Sequence, residues 1–264
     1  MADVEVTREG RVATVTLNRP EVRNAVHRAM WGVIADELRT LADDDDVGVV
    51  VLTGAGDAFC AGGDVKDMAA RLTNPGDETV EDATATIIEF VEASRLLHEM
   101  PKVTIAAING AAAGAGLSLA FACDLRIMAA DAKMTTAFAN IALSGDFGGA
   151  WFLSRIVGPA KAREMFFLAP KLTGEEAAAL GAVNRAVPRE EFDATVRETA
   201  KRIAEGPTSV LAMMKANFTH AATAPLSDYL RVEAGRMAES FRTEDHREAA
   251  MAFVQKRAPQ FKGR

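Results

Sequence analysis

The sequence is short of several things that would point to other functions. Its 264 residues include two cysteines, one tyrosine and four histidines. Cys60 and Cys123 lie far apart among small or apolar neighbours. They read as buried free thiols in a reducing cytoplasm, not as a disulfide or a metal site. The histidines are scattered with no His/Cys cluster, which argues against a metal centre. No apolar run approaches the ~20 residues needed to span a membrane. The start, Met1-Ala2-Asp3-Val4-Glu5, lacks a basic stretch followed by an apolar one, so no signal peptide is expected and the location is expected to be cytoplasmic. Runs of Lys and Arg are also missing, and the net charge is −7. Nucleic acid is a poor partner for such a chain, because phosphate contacts need clustered cations. A small anionic ligand needs only two or three well-placed cations and stays open.

What is present is a strand–helix alternation followed by a helical tail. Ala13-Thr14-Val15-Thr16-Leu17 alternates apolar and polar residues, the pattern of a half-buried strand. Apolar residues then recur at helical spacing from Val26 to Leu41, with Asn24 as a candidate N-cap. The acidic run Asp43 to Asp46 closes that helix as a solvated loop. Val49 to Thr53 is a continuous apolar run, as expected of a strand covered on both faces. Strand, small-residue loop and helix recur at Thr104–Gly110 with a helix from about Gly114, and Leu125–Ala129 is a further strand, which suggests stacked strand–helix layers. Residues 70–85, containing Asn74-Pro75-Gly76-Asp77, read as the most loop-like stretch. Thr173 with Glu176 forms a capping box, and residues 182–187 read as a strand. Beyond Pro188 the pattern predicts helices over 189–205, 207–221, 226–241 and 244–257.

Two loops concentrate small residues: Phe59-Cys60-Ala61-Gly62-Gly63-Asp64-Val65-Lys66 and Asn109-Gly110-Ala111-Ala112-Ala113-Gly114-Ala115-Gly116. Each follows a strand and opens a helix. The first N–H groups of a helix have no internal partner and carry positive dipole potential, so they suit a developing negative oxygen. Small side chains let a ligand approach that backbone closely.

With these loops the chain resembles the crotonase superfamily, the enoyl-CoA hydratase/isomerase family. The resemblance is carried in order by Leu17-Asn18-Arg19-Pro20, Asn24-Ala25, Ala58 through Asp64, Ile108-Asn109-Gly110 through Gly116, Cys123-Asp124-Leu125-Arg126, Gly148-Gly149 and Phe253-Val254-Gln255-Lys256-Arg257. It implies an α/β fold: a spiral of ββα repeats over residues 1–195, then a helical oligomerisation region over 196–264 that builds trimers, often paired as hexamers. It also implies that Gly63 and Ala115 supply the two N–H groups of an oxyanion hole for an acyl-CoA thioester. Ala61 lies in the same substrate loop. Lys66 and Arg23 match CoA-contacting cations, and Phe253 with Lys256 matches a C-terminal pair that reaches CoA from a neighbouring subunit. Each cation also reads as an ordinary surface charge; Lys66 is the first choice. Coenzyme A enters as part of the substrate, with no separate cofactor.

The departures from the family pattern bear on the reaction. Hydratases of the family place two glutamates where this chain has Ser118 and Phe138. Neither side chain titrates in a useful range. Asp146, in Leu143-Ser144-Gly145-Asp146-Phe147-Gly148-Gly149, stands where several isomerases of the family keep a catalytic aspartate; by propensity alone it would be a helix N-cap. Phe138, Ile141, Phe147 and Trp151 give it an apolar setting that would raise its pKa, and the acyl chain is expected to run toward Asp146 and Trp151. The expected activity is enoyl-CoA isomerisation, from 3-enoyl to 2-enoyl, or the related ring-epoxide isomerisation of phenylacetyl-CoA. Enoyl-CoA hydration and CoA-thioester binding with degraded catalysis stand as alternatives. His98 lies in roughly the segment where a dehalogenase branch of the family carries a histidine base, but it does not fall on the matching position.

Overall fold

The computed structural model describes residues 2–73 and 78–264. Strands β1 (Val4–Glu9) and β2 (Val12–Leu17) form an antiparallel hairpin. The alternation of β2 is real burial: Ala13, Val15 and Leu17 are fully enclosed, with the residues between them half-buried. Helix α1 (Arg28–Asp43) buries Met30, Trp31, Ile34, Leu38 and Leu41 on one stripe. Its cap is His27, three residues after the Asn24 expected from the sequence. Asn24 instead sits in the left-handed region at φ +57° with its side chain buried, so the chain cannot begin a helix there.

β3 (Val49–Gly54) lies between β2 and a later strand, which explains its unbroken apolar run. β4 (Ala58–Cys60) leads into α2 (Val65–Thr73), and α3 (Val80–Glu99) follows. The loop expected over 70–85 is thus helix at both ends, and its centre, 74–77, lies outside the described residues. The start of α3 is set by a capping box: Thr79 accepts from the Asp82 amide, and the Asp82 carboxylate accepts from the Thr79 amide.

The next turn repeats the plan with β5 (Val103–Ile108), β6 (Ala111–Ala113) and α4 (Gly114–Ala122). The third has β7 (Leu125–Ala129), β8 (Lys133–Thr135), α5 (Gly149–Val157) and α6 (Pro159–Leu168). β9 (Leu172–Thr173), α7 (Gly174–Ala179) and β10 (Arg185–Val187) close the spiral. Each of the three turns sends one strand to a six-stranded sheet, ordered β1-β2-β3-β5-β7-β10, and one to a four-stranded sheet, ordered β4-β6-β8-β9. α4 has no polar face, and every residue after its first is buried. β10 is shorter than the strand expected over 182–187, because the amides of Ala182 and Val183 turn back to the Ala177 carbonyl at the end of α7.

The helical tail consists of α8 (Arg189–Ala204), α9 (Thr208–Ala221), α10 (Leu226–Ser240) and α11 (Glu244–Gln255), within two residues of the expected bounds. α8 runs unbroken through residues 195 and 196 and buries Phe192, Ala200 and Ala204, packing on β2, β3, β5 and β7. The first tail helix therefore covers the large sheet. α9 is tied in by Lys215, a buried ammonium that ion-pairs with Asp124 at 2.8 Å and donates to the carbonyls of Leu97 and Lys102. No helix among the described residues is long and apolar enough to cross a membrane.

Candidate active site

The small sheet brings the two small-residue loops side by side. β4 and β6 pair in parallel, Ala58 with Ala111 and Cys60 with Ala112. Ala61 to Asp64 leave the first strand where Gly114 and Ala115 leave the second. Gly62 shows how tightly they meet. At φ +92°, a Cβ on it would lie 2.9 Å from the Ala113 carbonyl and 3.4 Å from the Ala115 amide nitrogen, so glycine is required both by conformation and by space. Gly116, one residue past Ala115, lets α4 settle on Cys60, whose Cβ and Sγ would each lie 2.5 Å from an added Cβ.

Within the loops, Gly63 pairs through a single parallel bridge with Val26. The Val26 amide donates to Gly62, and the Asp64 amide donates to Val26. Among the turn and loop hydrogen bonds of the described residues, neither the Gly63 amide nor the Ala115 amide donates. Ala115 is the second residue of α4, ahead of that helix's own ladder. Two neighbouring loops with uncommitted N–H groups form a place where an anionic oxygen can be held.

The segment carrying Asn24 supports this geometry. The buried Asn24 side chain accepts from the Arg19 amide at 2.9 Å and donates to the carbonyls of Ala55 and Ala58 at 2.9 and 2.7 Å. The Arg19 guanidinium bonds the Ala25 carbonyl and the Asp64 carboxylate. Asp64 accepts in turn from the amides of Lys66 and Asp67, capping α2. Burial works to raise the Asp64 pKa, but these donors outweigh it and the net shift is downward. Replacing Asn24 with alanine would leave one buried donor and two acceptors unpaired. The expected loss of unfolding free energy is about 2–4 kcal/mol, read from the denaturation midpoint.

The cations flank the same loops. Arg23 is exposed, and its carbonyl accepts from the Ala61 amide at 2.9 Å. Lys66 is exposed in the first turn of α2. Phe253 and Lys256 are exposed on and just after α11, and among the described residues no hydrogen bond or ring contact ties either to the loops. Cys60 and Cys123 are buried free thiols, each pushed up to about 12 by burial, and so chemically inert. The large sheet hosts something else: a cavity of about 1090 Å3 between β1–β3, α8 and the tail segment Pro259–Phe261, which none of the expected site residues lines.

The Asp146 segment meets the second loop from the far side. Phe138, buried and stacked on Phe166 at 5.8 Å, lies within 4 Å of where Cβ atoms on Gly114 and Gly145 would be. Ser118 is buried, bonds back to the Gly114 carbonyl, and sits so close to Gly149 that a Cβ there would be 2.3 Å from its hydroxyl. Ser118 and Phe138 are closely packed, and neither supplies a carboxylate that could hold a water. Asp146 does not cap α5: that helix has Gly148 at its N-cap and no side-chain cap bond. One of its carboxyl oxygens, Oδ1, is buried without a partner. Burial alone raises its pKa to about 6.

The apolar setting differs in detail from expectation. Phe147 turns away onto Trp31 of α1, ring centroids 4.2 Å apart. Ile141 is exposed. Trp151 is also partly exposed and packs against His98, Phe152 and the Arg155 guanidinium, the last 3.6 Å from its ring centre. His98 has a pKa lowered chiefly by burial, and its Nε2 lacks a partner. Sequence reasoning missed the parts played by Arg19, Asn24 and Trp31. For Asn24 the sequence allowed a left-handed backbone, which asparagine tolerates better than most residues other than glycine, but it did not show the partners.

Stacked strand–strand–helix turns, with small-residue loops meeting at the mouths of successive helices, define the crotonase architecture. The crystal structure of an enoyl-CoA hydratase from Polaromonas sp. JS666 superimposes with a TM-score of 0.91 at 29% identity, covering 98% of this chain and 99% of that one. The model of the family described as enoyl-CoA hydratase/isomerase matches residues 7–264. A Rhodobacter capsulatus protein named "probable enoyl-CoA hydratase" is 39% identical over 96% of this chain and 95% of its own length. The 1,2-epoxyphenylacetyl-CoA isomerase of Escherichia coli is 36% identical over 97% of each chain. The chain belongs to the enoyl-CoA hydratase/isomerase family.

Proposed function

We propose that this family member isomerises acyl-CoA thioesters, moving a double bond or opening a strained ring, with Asp146 as the single acid/base. The observation that carries this reading is the Asp146 carboxyl: sealed on one oxygen, unpaired, and raised to about 6 by burial. A base serves best when its pKa lies near the working pH, and this one has been brought there. The thioester carbonyl accepts from the amides of Gly63 and Ala115. Asp146 takes a proton from C2 of a 3-enoyl-CoA; the C–H electrons pass into a dienolate held at that carbonyl. The same carboxylic acid then returns the proton to C4, giving the 2-enoyl isomer. One titrating group suffices, as proton removal and return are sequential. The similarity to a 1,2-epoxyphenylacetyl-CoA isomerase supports the same division of labour on a ring substrate. Hydration, by contrast, would need a placed water, which the packing of Ser118 and Phe138 works against.

In this reading Lys66 and Arg23, exposed beside the loops, meet the CoA phosphates. The tail exposes Phe218, Leu226, Leu230, Met237, Met251, Phe253 and Val254, an apolar extent expected of a buried surface between copies. In a trimer, or a hexamer made of two, that surface would be covered and Phe253 with Lys256 would reach CoA bound to an adjacent copy.

The pH–rate profile tests the base. Asp146 acts as carboxylate, so activity is complete above its pKa and falls tenfold per pH unit below it. The acid limb of kcat/KM is expected near pH 6, well above the limb of about 4 that an ordinary aspartate would give. A profile flat from pH 5 to pH 8 removes Asp146 from the chemistry.

A further inference from the structure

The backbone around Asp146 is held in a conformation it would not adopt alone. Gly145 has φ +104°, Phe147 φ +52° and Gly148 φ +70°. Glycine accepts these values, but phenylalanine does not, and a side chain in the left-handed region persists only where its surroundings impose it. Two contacts impose it here. The Phe147 ring, 3% exposed, packs on Trp31, and the Phe147 carbonyl accepts a buried hydrogen bond from Ser94 Oγ of α3 at 2.9 Å.

Ser94 bonds outside its own helix, where several other helical hydroxyls of this chain bond within theirs. Thr40, Thr84, Ser118, Ser154 and Thr219 each bond back to the carbonyl four residues earlier in their own helix. Ser94, 4% exposed, gives up that bond and reaches across to the peptide that follows Asp146. What it prevents is visible at α5. That helix begins three residues after Asp146 with no side-chain cap, and aspartate is among the best caps for its open N–H groups. A relaxed loop would let Asp146 turn onto them and become an ordinary, ionised cap.

We infer that Ser94 is a positioning residue for Asp146: with Trp31 it locks Phe147 in the left-handed conformation and so keeps the Asp146 carboxyl in the site and off the α5 N-terminus. This rests on the reading of Asp146 as the acid/base. No charged side chain contributes to the Asp146 shift, burial being its whole cause. The titratable neighbour on α3 is His98, which faces Trp151 and Phe152 of α5; Arg155 of α5 lies over Trp151.

The test is the Ser94→Ala variant of the full chain, assayed with a 3-enoyl-CoA. The acid limb of kcat/KM is expected to move down by at least about one pH unit as the carboxylate gains donors. Above pH 7, kcat is expected to fall by about tenfold or more while KM stays within about twofold, the pattern of a misplaced catalytic group. Ser94→Thr, which keeps the hydroxyl, is expected to hold the wild-type limb. If Ser94→Ala does not fold, Trp31→Leu is expected to shift the limb in the same direction. An unmoved limb in the folded variant, even with a lowered Tm, overturns the inference. Loss of activity in Asp146→Asn with an unmoved limb in Ser94→Ala sinks this inference alone; full activity in Asp146→Asn sinks the reading beneath it.

Discussion

Asp146→Asn is expected to lower kcat for 3-enoyl-CoA isomerisation by about 10²–10⁴-fold, the usual contribution of a positioned acid/base. KM is expected to change little, because the asparagine keeps the shape of the side chain and the proposed thioester site lies elsewhere, at the loops of Gly63 and Ala115. The same substitution is expected to stabilise the fold at neutral pH. A carboxyl raised from 3.8 to about 6 binds its proton more tightly in the native state than in the unfolded chain. Between about pH 4 and pH 6 the native state therefore holds more protons, and stability falls as pH rises through that window. Above pH 6 the wild type carries the whole cost of the buried carboxylate, about 1–2 kcal/mol after allowing for its partial exposure. Asparagine carries none of it. Urea midpoints for the two proteins should coincide near pH 4 and separate by pH 7, with the variant the more stable. The opposite order at pH 7 would mean that the carboxylate is favourably bonded in the folded state.

Ala115→Pro is expected to cost about 10²–10³-fold in kcat, the loss that follows deletion of one oxyanion donor. Proline removes the N–H and puts a ring carbon on the same nitrogen. It is tolerated in the first turn of a helix, where that N–H has no partner in the ladder. Gly114 before it, at φ +51°, has no Cβ to collide with the new ring. The side chain at 115 plays no part in the account, so Ala115→Ser should retain nearly full activity. Circular dichroism and Tm separate a lost donor from a lost helix. A proline variant that folds and turns over normally would move the thioester oxygen away from Ala115.

Much of this was legible along the chain because it is local. The alternation of Ala13 to Leu17, the unbroken run at Val49 to Thr53 and the capping box of Thr173 with Glu176 each state their own conformation. The four tail helices do the same by periodicity. The small residues from Ala61 to Gly63 and from Ala113 to Gly116 declare a close approach of backbones, which the 2.9 Å between a Gly62 Cβ and the Ala113 carbonyl confirms. What was not legible involves pairs far apart in sequence. Asn24 has the composition of a cap, and only its bonds to Ala55 and Ala58, more than 30 residues on, show that it staples a loop. Residues 80–85 read as loop because Pro75 and Gly76 dominate the neighbourhood and Thr79 caps with Asp82 in place of the more usual glutamate. β9, at two residues, is too short to show any period. Ser94 looks like one more polar residue in a helix; its partner is Phe147, 53 residues away. The role proposed for Asp146 came from the resemblance of its segment to the family pattern, but its freedom from the α5 cap was not legible, since both roles call for the same residue in the same place.

The central claim, that the two amides and one aspartate serve isomerisation and not hydration, is tested by giving the purified protein a 3-enoyl-CoA and crotonyl-CoA in parallel. Double-bond migration and water addition are followed separately. The account predicts steady conversion of the 3-enoyl to the 2-enoyl thioester, with hydration of crotonyl-CoA slower by about 10²-fold or more, since no second titrating group holds the water. Rapid hydration of crotonyl-CoA without migration of the 3-enoyl double bond would contradict it.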